Sequence, residues 1–443
     1  MTGSIQTHDP MPISTLWPAR ILKRDFQIDL GKMLQPQQST DKETEEFYLR
    51  SANVHWDGVD LSYVKTMWFS PAEKRDLLLR AGDLVVNEGG DVGRCAIWQG
   101  TQAPHYFQNA INRVRARTSS STRFLYYWLY NLKHAGFIDA MVSRITIAHL
   151  TAEKLARVPW PDVPAVEQRR IAAYLDASCA AIDAAVSAKR HQLDTLDGLR
   201  KSIIQSAVTW GIAKNGSLEP TGNVWLAQVP SGWKLVALKR IAEIRGGLTL
   251  GKQYEGELIE RPYLRVGNVQ DGHLDLADVS VIELPASVAA GVELCPDDVL
   301  MTEGGDLDKL GRGHLWRGEL AGCLHQNHIF AVRCFPHKLK PMFLAYATAA
   351  QYGRDYFEAT GKKTTNLANT NATKVGQFPI PLPPLAEQAA ICAHLDEKTA
   401  EVDRITATIT AQIKTLTAYR KSLIHECVTG QRRVTEANVL AVV

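Results

Sequence analysis

The sequence predicts an α+β fold, in which two α/β-mixed globular domains are separated by two long antiparallel coiled-coil helices, with an internal pseudo-twofold repeat. Three observations predict this fold. A segment of about 50 residues occurs twice, each copy carries a heptad pattern, and short β-like runs alternate with helical stretches before each copy. At 443 residues the chain is also longer than a single hydrophobic core normally supports.

The repeat is strongest where a proline run is followed by Glu-Gln and a helical pattern. Residues 159–209 match 379–429 without a gap, and 20 of the 51 positions are identical. Upstream the match is weaker: "YLRSANV" corresponds to "YLRVGNV", and "NEGGD" corresponds to "TEGGD". The offset drifts from 215 to 220 along the chain, so loops of different length separate the matching segments. The chain therefore consists of two half-molecules.

Each copy of the repeated segment predicts one long helix. Apolar residues follow alternating four- and three-residue steps over about five heptads, which indicates a coiled-coil seam. A helix of about 40 residues is about 60 Å long. Two equivalent glutamines fall on this seam; they either lie near an exposed helix end or fix the register of the pair. The residues expected to form the helix pair or to dock other subunits are Ile171, Leu175, Gln192, Leu196, Leu395, Ile405, Gln412 and Leu416.

The proline runs and turn-rich segments also predict the domain boundaries. Glycine-rich turns separate β-like runs such as "DDVLM" from helical stretches such as "RFLYYWLYNLKHAGF". The expected division is a first domain at 1–160, a central helical region at 161–212, a linker at 213–230, a second domain at 231–380, a C-terminal helical region at 381–430 and a tail at 431–443.

Arginine and asparagine occupy matching positions in the two halves. Both side chains can make two-pronged hydrogen bonds to base edges, but residues shared by two different domains can equally maintain the fold. The loop 359–374 differs between the halves, is acid-poor and is a candidate to follow a phosphate backbone. The candidate ligand-binding residues outside the first half's 144–146 stretch are Arg50, Asn53, Arg94, Asn109, Arg265, Asn268, Arg312, Asn327, Lys362, Lys363, Thr364 and Thr365. Arg115 and Arg333 form a further matching pair.

Composition narrows the class of protein. The seven cysteines are scattered and form no C-x-x-C pair, which favours a reducing cytoplasm over a disulfide framework. No run approaches 18 apolar residues, so we expect no membrane span. The net charge of +3 permits a nucleic-acid partner without requiring one.

Catalytic and metal motifs are incomplete throughout the sequence. The stretch 246–253 resembles a phosphate-binding loop, but Gln253 stands where a Ser or Thr should hold Mg²⁺. Three histidines and two cysteines crowd residues 323–337, but their spacing matches no structural zinc finger and their counterparts in the first half are not a matching ligand set. We therefore expect no catalytic, cofactor-binding or metal residues in this chain.

The sequence resembles the DNA-specificity (S, HsdS) subunits of type I restriction-modification systems. The resemblance is carried by "PPLAEQ" (383–388) with its long helix, by "LAQVPSGWKLVALKR" (226–240), by "EGGDLDKLGRGHLW" (303–316) and by "TTNLANTNATKVGQFPIPLPP" (364–384). The first half departs from the family, because its proline run is degraded and Arg144-Ile145-Thr146 replaces the Lys-Lys-Thr-Thr stretch. Arg144 in this stretch is a further DNA-contact candidate.

The resemblance implies a non-catalytic DNA-binding subunit with two target-recognition domains. Each domain would read one half of a bipartite double-stranded DNA site, and the helices would set their spacing and dock two methyltransferase (M) subunits. Restriction (R) subunits would join in some complexes, and S-adenosylmethionine, ATP and Mg²⁺ would be bound by the partners. The alternatives are a scaffold whose two domains bind protein or glycan, and an enzyme with an unrecognised active site.

Overall fold

The computed structural model describes residues 15–142, 149–213, 217–270, 272–305, 310–363 and 368–442. The chain divides into two compact units. Unit 1 comprises residues 1–189 and 411–443, and unit 2 comprises residues 190–410. Both long helices therefore contribute one half to each unit.

Unit 1 contains mainly short strands. They are β1 (Ala19–Ile21), β2 (Phe26–Leu30), β3 (Thr44–Leu49), β4 (Val54–His55), β5 (Gly58–Val59), β6 (Lys65–Phe69), β7 (Leu84–Asn87), β8 (Cys95–Ile97), β9 (His105–Phe107), β10 (Ile111–Ala116) and β11 (Pro159–Pro161). Its helices include α1 (Pro71–Leu77), α2 (Thr122–His134), α3 (Phe137–Met141), α4 (Ala152–Ala156), the first half of α5 (Ala165–Trp210) and the second half of α10 (Leu385–Thr429).

The strands of unit 1 form two main sheets. The first is antiparallel with the order β2-β10-β7-β8, and the second has the order β6-β3-β9, with β3 parallel to β9. Ser121 caps the start of helix α2, because its hydroxyl accepts the Phe124 backbone N–H. Its aromatic and aliphatic side chains are buried on almost every side, because the helix packs between the first sheet and the long helices.

Unit 2 repeats these elements with a few additions. Its strands are β12 (Leu218–Pro220), β13 (Gln228–Pro230), β14 (Lys234–Ala237), β15 (Ala242–Arg245), β16 (Ile259–Leu264), β17 (Ser280–Leu284), β18 (Asp298–Thr302), β19 (Gly304–Gly305), β20 (Gly313–Leu315), β21 (Leu324–His325), β22 (Ile329–Cys334), β23 (Lys362–Lys363), β24 (Ala368–Asn369) and β25 (Pro379–Leu382). Its helices include α6 (Ala286–Val292), α7 (Pro341–Ala349), α8 (Gln351–Thr360), α9 (Ala372–Gln377), the first half of α10 (Leu385–Thr429) and the second half of α5.

The sheets of unit 2 have the same order and register as those of unit 1. The first is β15-β22-β18-β20 and the second is β17-β16-β21, with β16 parallel to β21. Leu84 lies opposite Val114 in unit 1, and Val299 lies opposite Val332 in unit 2. The internal repeat predicted from the sequence is therefore confirmed in the strand order of the two α+β units.

The halves of the long helices run antiparallel within each unit. In unit 1, Asp183 accepts from Arg420 at 3.0 Å and Lys189 donates to Gln412 at 2.6 Å, so residue numbers rise along one helix as they fall along the other. In unit 2, Arg200 pairs with Asp403. The 46 residues of α5 and 45 of α10 slightly exceed the predicted length.

The seam between the helices differs in part from the prediction. From Leu395 to Leu423 of α10, the buried or half-buried positions that recur at three- and four-residue steps are Leu395, Thr399, Val402, Thr406, Ile409, Ile413, Leu416, Arg420 and Leu423, and the positions 220 residues earlier in α5 behave alike. The predicted seam and the observed seam coincide at every seventh residue. At the positions between, each predicted residue comes one position before the observed one. Ile171, Leu175 and Leu395 are at most 1% exposed, and Leu196 and Leu416 are half-buried.

Three predicted seam residues lie outside the seam. Ile405 is 41% exposed, and Gln192 and Gln412 are exposed as well. Of the two alternatives for these glutamines, exposure agrees with the first, although neither residue lies at a helix end, and Gln412 accepts a hydrogen bond from Lys189 at the flank of the seam. Docking of other subunits by any of these residues stays a prediction.

The segments at the ends of the long helices also pack onto the units. Residues 217–230, in the predicted linker, contain the β12–β13 hairpin, and Leu226 and Val229 are buried in the core of unit 2. In the predicted tail, Val434 is buried in unit 1 before the short helix α11 (Glu436–Leu440).

One helix, α5, is long and apolar enough to cross a membrane by length and composition alone. Ile171, Leu175 and Ile182 on this helix are buried in the core of unit 1. Only 39% of its most apolar 18-residue window is buried, and length and composition alone are weak evidence for a membrane span.

Candidate nucleic-acid interface

The matching asparagines Asn53 and Asn268 maintain a backbone turn. The Asn53 amide oxygen accepts the Arg50 backbone N–H at 3.0 Å, and its NH₂ group donates to the carbonyls of Asp60 and Tyr63. Asn268 makes the equivalent three bonds in unit 2, and both side chains are only 4% exposed. An amide that is buried and bonded at both ends has no free edge for a base, so these two candidates serve the fold.

The arginines that precede these turns are more accessible. Arg50 lies 5.5 Å from the centroid of the Tyr63 ring, and Arg265 donates to the Asp278 carboxylate at 2.8 Å with 41% of its side chain exposed. Exposed pairs of this kind contribute little to stability and exchange partners readily. Arg50 and Arg265 therefore remain candidates for contact with a polyanion.

The second pair of arginines lies beside glycine-rich loops. Arg94 donates to the Ser51 carbonyl at 3.3 Å, so the structure brings it next to the Arg50 turn. Arg312, its counterpart in unit 2, is half-buried. Asn109 and Asn327 are also half-buried, and each donates its backbone N–H to a neighbouring segment: Asn109 to Lys32 and Asn327 to Leu248.

The matching arginines near the sheet centres are structural. Arg115 makes a two-pronged pair with Asp83 at 2.6 Å, and Arg333 makes the same pair with Asp298 at 2.8 Å. Both carboxylates are at most 2% exposed, and the Asp298 hydrogen bonds raise the pKa of Arg333. Breaking such a pair leaves a buried charge, so these arginines maintain the fold.

The Glu-Gly-Gly loops meet the segments that differ between the halves. In unit 2, β19, β24 and β23 form a small sheet that places exposed Lys362 near the loop, and His328 lies 2.9 Å from Glu303. In unit 1, His149 lies 3.8 Å from Glu88, and burial raises the pKa of that carboxyl group. Arg144, Thr364, Thr365 and the side chain of Lys363 lie outside the described residues.

The histidine- and cysteine-rich stretch does not assemble a metal site. His325 is 1% exposed and its Nδ1 lies 3.0 Å from the Val292 carbonyl, while His328 faces Glu303. Burial lowers the pKa of His325 and raises that of Cys323 to about 12. Across the described ranges, no three His, Cys, Asp or Glu side chains gather as ligands.

The glycine-rich stretch at 246–251 has a packing role. A Cβ on Gly247 would lie 2.3 Å from the His325 carbonyl, and one on Gly31 would approach the Gln108 carbonyl equally closely. Leu248 then bonds to His325 and Asn327, and the next described α-helix is α6, which begins only at Ala286. A phosphate-binding loop needs a helix immediately after it, so the structure does not provide one here.

The most informative residue missed by the sequence reasoning is the glutamine of the Glu-Gln motif. Gln388 is 0% exposed; it accepts the Lys340 backbone N–H and donates to the carbonyls of Lys338 and Pro383. Gln168 likewise joins Ser121 to Val163. These buried amides fasten the start of each long helix to its domain. The repetition of the motif was the available signal, but it does not reveal which of the two side chains is buried.

The amino-acid sequence was compared with those of known proteins, and several of them are similar to it. No family model matches the sequence. The chain is 27% identical over 206 residues to the putative type I restriction enzyme MjaX specificity subunit of Methanocaldococcus jannaschii, a match that covers 46% of this chain and about half of that relative, 47% of its length. It is 23% identical to the type I restriction enzyme EcoBI specificity subunit of Escherichia coli, over 79% of this chain and 73% of the relative.

Solved structures share the fold over almost the whole chain. A chain from structural work on complex assembly and conformational transition of the type I R-M system matches with a TM-score of 0.71 and 17% identity, covering 94% of this chain and 98% of that one. The HsdS subunit from Thermoanaerobacter tengcongensis matches with a TM-score of 0.52 and 16% identity, covering 94% and 97%. These relatives confirm the resemblance predicted from the sequence: in sequence and in fold, this chain is similar to the specificity subunits of type I restriction enzymes.

Proposed function

We propose that this chain is the non-catalytic DNA-specificity subunit of a cytoplasmic type I restriction-modification complex. In this proposal unit 1 and unit 2 each carry one target-recognition domain, and each domain reads one half of a bipartite double-stranded DNA site. The observation that carries the proposal is a duplicated framework with unlike loops, in a chain similar to named specificity subunits.

The framework supports a division of labour within each unit. The Arg-Asp pairs and the buried asparagines are present in both units, so they are suited to holding the fold. The accessible cations differ in setting: Arg50 is stacked near Tyr63, whereas Arg265 is paired with Asp278 and Lys362 lies on a small sheet. Unlike surfaces on a common frame would let two domains read different bases.

The long helices would dock the other subunits. Ile171, Leu175 and Leu395 are buried in the cores, so their side chains would support docking only by holding the helix pair together. Exposed residues near the helix centres, including Gln192, Ile405 and Gln412, would be available for direct contact. Two M subunits, with R subunits added for cleavage, would supply the binding of S-adenosylmethionine, ATP and Mg²⁺.

Salt dependence tests the proposal against a scaffold that binds protein or glycan. Purified complex of this chain with its M subunit should select one bipartite sequence from a random duplex pool at low salt. Its affinity should fall steeply as salt rises, because each neutralised phosphate releases counterions with a log–log slope of about −0.9. Arg265→Ala and Lys362→Ala should reduce that slope, whereas the matched exposed variant Arg157→Ala should not.

Two results would count against the proposal. Failure of the complex to select any duplex at low salt would contradict the proposal that this chain recognises a DNA sequence. Methylation or cleavage of DNA by the purified chain alone would contradict the non-catalytic assignment.

A further inference from the structure

Helix α7 of unit 2 is the counterpart of α2 in unit 1. Phe124 and Leu125 are fully buried in one core, and Phe343 and Leu344 are fully buried in the other. The Tyr127 hydroxyl donates to Asp176 at 2.7 Å, and the Tyr346 hydroxyl donates to Asp396 at 2.6 Å. The helices therefore align at an offset of 219, and Ala349 stands in the position of Tyr130.

Tyr130 fills the space between α2 and the long helices in unit 1. It is 8% exposed, and its ring lies 5.2 Å from the Arg420 guanidinium and 5.0 Å from the ring of Trp56. Arg420 also pairs with Asp183 across the two long helices. The aromatic face thus covers one side of a guanidinium that is held in place by a carboxylate.

Unit 2 repeats the ion pair without the ring. Arg200 pairs with Asp403, as Arg420 does with Asp183, but the residue in the position of Tyr130 is alanine. A cavity of about 630 Å³ opens there, walled by α5 and α10 on one side and by α7 and strand β20 on the other. Its volume is within the range of small-molecule sites, roughly 300–1,000 Å³.

The charges around the cavity favour an anion. Its walls include four cationic side chains, Arg200, Lys201, Arg317 and Arg354, and two carboxylates, Asp197 and Asp403. A third carboxylate, that of Glu319, lies beside the cavity and accepts the Arg317 backbone N–H at 2.9 Å. Lys201 and Asp197 form a pair at 2.7 Å. The position of Arg317 is held in unit 1 by Gln99, since Trp316 corresponds to Trp98, so unit 2 carries a cation there that unit 1 lacks.

We propose that this cavity of unit 2 binds a planar, anionic ligand of mononucleotide size. The ring would lie against Arg200, in the position that Tyr130 occupies beside Arg420. The phosphate would be held by Arg317 and Arg354, whose guanidinium groups match phosphate geometry. Walls on several sides favour such a compact ligand over an extended peptide. The proposal does not depend on the reading of DNA, since none of the residues that line the cavity is a DNA-contact candidate.

Titration calorimetry of the full chain tests this site, with adenosine monophosphate as the probe. Adenosine and inorganic phosphate should each bind about tenfold more weakly than the nucleotide, because each lacks one of the two groups recognised. Ala349→Tyr should weaken nucleotide binding about tenfold or more by filling the ring position. Arg317→Gln, which alters an exposed side chain, should weaken nucleotide binding without affecting folding. Arg75→Gln in unit 1 is the matched control and should bind as the natural chain does.

Three outcomes would contradict the proposal. No binding of adenosine monophosphate at millimolar concentration would overturn it. Inorganic phosphate bound as tightly as the nucleotide would do the same, since it removes the role of the ring. Unchanged nucleotide affinity in both folded Ala349→Tyr and Arg317→Gln chains would place the ligand elsewhere and also contradict the inference.

Discussion

Unit 1 and unit 2 solve the same packing problem with different side chains. Both place an arginine–aspartate pair across the long helices. In both, a tyrosine hydroxyl also donates to a second aspartate on the same helix, Asp176 in unit 1 and Asp396 in unit 2. In unit 1 Tyr130 fills the space beside that pair, whereas in unit 2 Ala349 leaves a cavity. The comparison shows that both units keep the polar contacts between the long helices and the domain, whereas the side chain packed beside those contacts differs between the units.

The largest expected effect concerns the seam of the helix pair. Leu395→Asp should destabilise unit 2 by about 4 kcal/mol or more, because its carboxylate would enter a core without a partner. Ile405→Asp should cost about 0.5 kcal/mol, because Ile405 is 41% exposed. Urea unfolding of the two variants measures the difference, and equal losses would restore the seam expected from the sequence.

A smaller effect should distinguish the filled unit from the open one. Tyr130→Ala should cost about 3 kcal/mol, because it removes a packed ring and leaves a cavity beside Arg420. Ala349→Tyr should change the stability by about 1 kcal/mol or less, because the space for the ring already exists. Hydrogen–deuterium exchange in α2 and α7 locates each effect. A large loss from Ala349→Tyr would mean that the units are less alike than their frameworks indicate.

The loss of stability on replacing a buried glutamine should increase with the number of hydrogen bonds that its side chain makes. Gln388→Leu leaves three backbone groups without their partner and should cost about 3 kcal/mol. Gln168→Leu leaves two such groups and should cost about 2 kcal/mol. Thermal unfolding of both variants, with exposed Gln192→Leu as the control, gives the ranking. Equal and negligible losses would show that these amides do not fasten the helices to the domains.

The smallest effect concerns the cross-helix ion pairs. Arg420→Ala should cost about 2 kcal/mol, because its side chain is 17% exposed and also packs against Tyr130. Arg200→Ala should cost about 0.5 kcal/mol, since Arg200 and Asp403 are 35% and 59% exposed. Urea unfolding at low and high salt checks this order. A larger loss for Arg200→Ala would contradict the contrast between filled and open units.

The sequence reveals most of the architecture because the repeat and the helical period are properties of the chain itself. It places the seam one residue away at alternate positions, since Ile405 and Tyr419 are apolar while the true seam holds Thr406 and Arg420. An arginine fits there because its stem packs and its guanidinium reaches an aspartate on the facing helix. Such a partner lies more than 200 positions away, so local periodicity does not reveal it.

The candidate interface was less predictable for a related reason. Matching Arg and Asn positions marked both structural and accessible residues. Burial separates Asn53 from Arg50, whereas Arg333 differs from Arg265 in its partner: Asp298 is 1% exposed and Asp278 is 87% exposed. The cavity of unit 2 left a weak trace, the replacement of Tyr130 by Ala349. This difference indicates a cavity only when the arginine that faces the position is known, Arg420 in unit 1 and Arg200 in unit 2.

The central claim is that two unlike domains each read one half of a bipartite DNA site. The most direct test exchanges residues 15–155 for the first domain of another specificity subunit, expresses the chain with its M subunit, and maps methylated adenines across the genome. We predict that one half of the methylated sequence changes while the other half and the gap between them stay the same. A change in both halves, or in neither, would contradict the two-domain account.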